Sequence, residues 1–166
     1  EQAIKKLSRA PEDVEAKVDA TLAKLVPGDA IRGLQLFRSS KSACSSCHRL
    51  GYVGGEIGPE LTRIGGSRTR RALLEAILFP SARLEQSYQP TRVLTLDGQV
   101  YNGIVKNTST SKTLDLQLTA DKMISIATSE IERQEPSQVS IMPAGMLELL
   151  TPQELSDLLT LLESGK

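Results

Sequence analysis

The sequence predicts a mainly α-helical domain with a small antiparallel β subdomain inserted into it and a helical extension at its N-terminus. Three observations carry that reading. Apolar residues recur at helical spacing near both ends, as Val14, Val18, Leu22 and Leu25, and again as Leu155, Leu158, Leu159 and Leu162. From about Tyr88 to Glu135 the period changes to alternation, the mark of half-buried strands. A chain of 166 residues with 39% hydrophobic content suits one domain carrying an extension and an insertion. The expected segments are 1–26 for the extension and 27–166 for the domain, interrupted by the β insertion at 88–135.

In the extension, Pro11 stands at a first-turn position, Glu12 and Asp13 follow it, and Pro27-Gly28 ends the helix. Asp29 is placed to cap a second helix in which Ala30, Gly33, Leu34 and Phe37 share a face. Six glycines and Pro59 fall within Gly51 to Gly66, too many for a long regular element, so this stretch is expected to wrap around something. Ser67 or Thr69 opens the next helix, which carries Leu73, Leu74, Ile77 and Leu78 and stops at Pro80. In the insertion, Asp97-Gly98 between Val93–Leu96 and Val100–Val105 predicts a hairpin with a tight primed turn. Leu114, Leu116, Leu118, Ile124 and Ile126 extend it to four or five strands, as a curled sheet or small barrel. Thr151-Pro152-Gln153-Glu154 is a capping box for the last helix, and Gly165 closes it.

Composition excludes several classes. Twenty Lys+Arg against 20 Asp+Glu leave no net charge, so nucleic acid is not an expected partner. No run approaches the ~20 apolar residues needed to span a bilayer. The chain starts at Glu1 without a basic-then-apolar leader and reads as a mature protein or a piece of a longer one.

The chemistry-bearing residues are few: one His and two Cys, all within Cys44-Ser45-Ser46-Cys47-His48. That is the attachment pattern of a c-type haem, in which two thiols reach two vinyl groups and the next residue brings an imidazole to iron. A thioredoxin-like redox pair is the first rival, but it belongs at a strand-to-helix junction and here an amphipathic helix precedes it. A structural zinc site needs four ligands, which this chain does not have as Cys and His. A plain disulfide is the remaining alternative. With the only His used, a second axial ligand falls to a methionine. Met123 lies in an alternating strand and Met146 among core leucines, whereas Met142, next to Pro143, sits in an irregular stretch where a thioether is free to point at a ligand. Position alone leaves that choice open.

Gly33 through Phe37, Cys44 to His48, Ile57-Gly58-Pro59-Glu60-Leu61, Leu73-Leu74-Glu75, Ser140-Ile141-Met142-Pro143 and Glu154-Leu155 with Leu158-Leu159 together resemble a c-type cytochrome domain. More closely, residues 27–166 resemble the haem-binding module near the C-termini of many large planctomycete proteins. The resemblance implies a cytochrome c-like fold, with class I type helices around one covalent haem c. It implies His48 as the proximal ligand, Cys44 and Cys47 as thioether anchors, and Met142 as the distal ligand to iron. Pro59 would offer its carbonyl to the imidazole Nδ1–H, and Gly33 and Phe37 would lie where the first and last helices of the module cross. Leu161 departs from the pattern, which has an aromatic there.

Arg63 and Arg68 are candidate partners of the haem propionates, while Arg70 and Arg71 read as a solvated helix N-terminus. Tyr52 and Tyr88 either bond a propionate or pack with the hydroxyl in water. The implied function is electron transfer without catalysis by this segment. The implied partner is an oxidoreductase domain of the same parent chain or another cytochrome, in the periplasm or another extracytoplasmic compartment. A gas sensor or weak peroxidase with a displaceable distal Met is the alternative, and an interaction role for the β insertion is a third. Oligomeric state is not legible in the sequence.

Overall fold

The computed structural model describes residues 11–106 and 112–165; residues 1–10 of the expected extension lie outside the described residues. The helices in chain order are α1 (Pro11–Leu22), α2 (Ala30–Arg38), α3 (Cys44–Cys47), α4 (Arg70–Leu78), α5 (Met146–Leu149) and α6 (Pro152–Ser164). The strands are β1 (Arg49–Leu50), β2 (Val53–Gly54), β3 (Thr91–Thr95), β4 (Val100–Val105), β5 (Thr113–Gln117), β6 (Met123–Ala127) and β7 (Ile131–Pro136). The chain divides into two compact units. One takes the residues up to Ser42, Arg63–Arg83 and those from Ala144 onward; the other takes Ala43–Thr62 and Leu84–Pro143.

The first unit is helical, and its centre is the crossing of α2 and α6. Asp29 caps α2 by accepting from the Arg32 N–H, and the capping box of α6 is complete, with Thr151 and Glu154 bonding each other's backbone N–H. The helices approach at Gly33, where an added Cβ would fall 2.2 Å from the Asp157 carbonyl oxygen. Leu161, the departure from the expected aromatic, fills this crossing: its Cβ lies 3.0 Å from that same position. Asp157 is a buried carboxylate, and α2 satisfies it: it accepts the Asp29 N–H at 2.7 Å and both Arg32 Nε and Nη2 at 2.8 Å. Thr69, rather than Ser67, caps α4. Arg70 and Arg71 at its start are not simply solvated. Arg70 pairs with Glu163 of α6 at 2.5 Å and Arg71 with Asp19 of α1.

In the second unit the strand order is β6-β5-β4-β3-β7, antiparallel throughout. The edge strands β6 and β7 therefore run in the same direction, yet only Thr128–Glu130 joins them. Four residue steps reach at most about 14 Å, whereas the edges of a flat five-stranded sheet stand about 19 Å apart. The sheet must curl. A register shift between Leu94 and Thr95, where β3 meets β7, contributes to the bend. All five strands feed one interior around Val93, Leu114, Leu116 and Ile126, with Tyr101 of β4 and Ile131 of β7 against it. The Asp97-Gly98 hairpin forms, but Gly98 alone takes positive φ (+83°), and the Thr95 N–H bonds the Gln99 carbonyl. The connection is thus a three-residue loop rather than a two-residue primed turn.

The expectation of a mainly α, cytochrome c-like fold is not met. The structure is mixed, 39% helical and 21% strand, with the five-stranded antiparallel sheet as a major element. The cause lies in the alternating segment, which builds a closed apolar interior of its own. The helices, meanwhile, stay short: α2 and α4 have 9 residues each. The Gly-rich stretch also adds a small hairpin, β1–β2, that the glycine count concealed.

Candidate functional site

The Cys44–Cys47 segment is a single helical turn entered through Ala43, whose φ of +50° is the left-handed value that side chains disfavour. The turn ends where the His48 N–H donates to the Cys44 carbonyl at 2.9 Å, and His48 itself is extended, carrying the chain into β1. Arg49 and Leu50 pair with Gly54 and Val53. The chain then folds back over the cysteine turn. The Gly55 N–H donates to the Ser45 carbonyl, the Gly58 N–H to that of Cys47 and the Leu61 N–H to that of Arg49, each at 2.9 Å. What the Gly-rich segment wraps around is the Cys–His motif itself.

This wrap delivers Pro59 to His48, whose Nδ1 lies 2.8 Å from the Pro59 carbonyl oxygen. A carbonyl only accepts, so Nδ1 carries the proton and the neutral ring keeps its lone pair on Nε2. Burial lowers the imidazole pKa, partly opposed by the Pro59 bond, so the neutral form dominates at pH 7. Gly58 forms one wall of the ring's place. A Cβ there would sit 2.6 Å from His48 Cε1 and 2.8 Å from Nδ1, so no other residue fits without moving the imidazole.

Neither cysteine is in a disulfide. Burial pushes the Cys47 thiol pKa up, and the neighbouring Cys44 adds to the rise. No strand leads into the motif, as the strand-to-helix junction of a dithiol oxidoreductase would require. Among the described residues, no three His, Cys, Asp or Glu side chains are grouped to hold a metal ion. A porphyrin brings four nitrogen donors of its own and asks the protein for axial ligands and anchors. Two thiols on one turn and an adjacent imidazole with an oriented, unprotonated Nε2 fit that demand.

The structure thus brings together Cys44, Cys47, His48 and Pro59. Met142 belongs to the same unit, half-buried in the irregular stretch before α5, with its N–H donating to Ser140 Oγ at 3.1 Å. Met146 is core in the helical unit and Met123 is 61% exposed on β6. Arg63 and Arg68 are exposed and belong to the helical unit, not to the one that holds His48. Tyr52 is fully exposed at the tip of the β1–β2 hairpin, and Tyr88 is half-buried at the end of a short helical turn. Sequence reasoning missed the steric role of Gly58 and the bond from the Gly51 N–H to Thr62 Oγ1 at 2.7 Å that pins the hairpin. The glycine directly before Pro59 was the available signal.

Compared with known proteins, the chain matches no family model and no curated protein. Among the described residues, no helix is long and apolar enough to cross a membrane.

Proposed function

We propose that this chain is a monohaem c-type electron-transfer domain, akin to the planctomycete haem-binding module. Cys44 and Cys47 are the thioether anchors, His48 Nε2 is the proximal ligand and Met142 the distal ligand. The observation that carries the reading is the 2.8 Å bond from His48 Nδ1–H to Pro59 on a histidine that directly follows a turn carrying two unbridged cysteines. It leaves one nitrogen lone pair beside two thiols, the set that covalent haem attachment requires.

Bound there, haem c would supply a one-electron ferric–ferrous couple. The rest is done by the chain. Pro59 fixes the imidazole plane and makes Nε2 a stronger donor, as an accepting partner on the far nitrogen does for a ligating histidine. Gly58, having no side chain, leaves the ring room to lie against the wrap. The Met142 thioether favours the reduced state and so raises the potential. With His48 and Met142 both holding the group, the domain would carry electrons and catalyse nothing itself. Its partner is an oxidoreductase domain of the same parent chain or a second cytochrome, in an extracytoplasmic compartment where haem c is attached. The absence of net charge leaves partner choice to local patches rather than long-range attraction.

Visible spectra of the oxidised and reduced protein with denaturing mass spectrometry test the proposal. The expected result is one haem retained on the unfolded chain, low-spin in both states, with a thioether-to-ferric-iron charge-transfer band. A chain without covalent haem overturns it. Covalent haem with high-spin ferric iron and no such band would instead mark an open site, that of a gas sensor or weak peroxidase.

A further inference from the structure

Met142 follows a segment that leaves β7 at Pro136 and has no regular structure of its own, so neither a helix nor a ladder fixes its place. The start of the segment is tied to the residues before β3: the Ser137 N–H donates to the Pro90 carbonyl at 2.7 Å, and Gln89 Nε2 donates to the Ser137 carbonyl at 3.2 Å. Two bonds nearer Met142 are internal. Ser137 Oγ accepts the Val139 N–H at 3.1 Å and Ser140 Oγ accepts the Met142 N–H at 3.1 Å. These shape the segment but do not place it.

A bond that does place it comes from the sheet. Asn102, in β4 opposite Arg92 of β3, donates from Nδ2 to the Val139 carbonyl oxygen at 3.1 Å, three residues before Met142. The orientation of the amide follows from chemistry, since a carbonyl oxygen can only face the nitrogen. The amide's other end is left at a disadvantage: Oδ1 is buried with no hydrogen-bond partner among the described residues. A side chain kept at that desolvation cost is held for what its nitrogen does. We propose that Asn102 is a positioning residue for Met142, through which the curled sheet holds the distal-ligand segment in place. The inference rests on Met142 as distal ligand and gives the β strands a task in that site.

The haem-loaded full chain carrying Asn102→Asp tests it, because aspartate keeps the size and loses the donor. Asn102→Ser, too short to reach Val139, is the second variant should the first fail to fold. The expected result is a weakened thioether-to-iron charge-transfer band and imidazole binding to the ferric protein about fivefold tighter, as expected for loss of one net hydrogen bond holding the competing ligand. Hydrogen exchange at the Met142 amide should accelerate, while that in the core of β5 stays slow. A band, an imidazole affinity and a Met142 exchange rate all unchanged in a folded variant overturn the role of Asn102 alone. A band absent from the unsubstituted protein overturns the Met142 assignment itself, and this inference with it.

Discussion

The His48 Nδ1–H donates to the Pro59 carbonyl oxygen across 2.8 Å and eleven residues of chain. The bond converts a five-residue motif into a site with direction. Three backbone bonds from Gly55, Gly58 and Leu61 to the Cys–His segment bring Pro59 there, so the ring is oriented by a wrap that is largely main chain. Main-chain positioning has few rotamers to lose, which suits a ring whose plane matters.

Gly58→Ala should break this arrangement. The new Cβ would lie 2.6 Å from His48 Cε1, so ring or wrap must shift and the Pro59 bond lengthen. Overpacking of this kind costs about 1–3 kcal/mol. Nitrogen NMR of the imidazole would read a clear Nδ1–H tautomer in the parent and a mixed or fast-exchanging one in the variant. An unchanged tautomer signal would show that the wrap yields without disturbing the ring.

Gly33→Ala should destabilise the helical unit. Its Cβ would meet the Asp157 carbonyl at 2.2 Å, a main-chain atom of a capped and packed helix that cannot swing aside. The expected loss is about 1–3 kcal/mol, a fall in Tm of about 3–10 °C for a chain of this size. Gly66→Ala, with nothing within 4 Å of the added Cβ, is the control and should melt near the parent. Equal melting of both variants would argue against close contact at the α2–α6 crossing.

Asp157 gives the helical unit an acid sensitivity of known sign. Its hydrogen bonds from Arg32 hold the carboxyl below the usual carboxylate range, with smaller help from the Asp29 N–H and Gln153 and against the effect of burial. A depressed folded pKa means that the stabilisation is complete above the unfolded value of about 3.9. It is lost as pH falls through the lower folded value. Asp157→Asn should therefore melt lower than the parent at pH 7, by about 1–2 kcal/mol. The gap between the two should close as pH drops into the region where the parent carboxylate protonates. Parallel melting curves at every pH would remove Asp157 from the acid transition.

Much of this architecture was legible where one residue does one local job. Asp29 and the Thr151–Glu154 box cap the helices they precede, Gly98 turns the hairpin, and Leu114, Leu116 and Ile126 face one interior. The bond between Pro59 and the His48 ring was legible too, because the resemblance implied it from the Gly-Pro-x-Leu stretch. What stayed hidden depends on partners far along the chain. Nothing local marks Asp157, because its partner Arg32 lies 125 positions away. The weight of the sheet was hidden because alternation reports strands but not their order, and the β6–β7 edge connection is what closes them into a unit. Gly58 reads as flexibility, yet its role is steric.

Ala43→Gly is the variant expected to gain stability. At φ +50° Ala43 occupies the left-handed region, where the Cβ of an L-residue crowds the following carbonyl, at a cost of about 1–2 kcal/mol. Glycine escapes that cost but gains freedom in the unfolded chain, worth up to about 1 kcal/mol in the other direction. The two terms leave a net gain of about 0–1.6 kcal/mol, or a rise in Tm of up to about 6 °C. The position also decides how the chain enters the cysteine turn, since the Ala43 carbonyl accepts the Ser46 N–H at 3.1 Å. Glycine adopts that entry without the clash, so the turn is held at least as firmly. The variant should thus melt higher, with hydrogen exchange at the Cys44 and Cys47 amides no faster than in the parent. A lower Tm, or faster exchange at those amides, would mean that the Ala43 methyl group helps to order the turn.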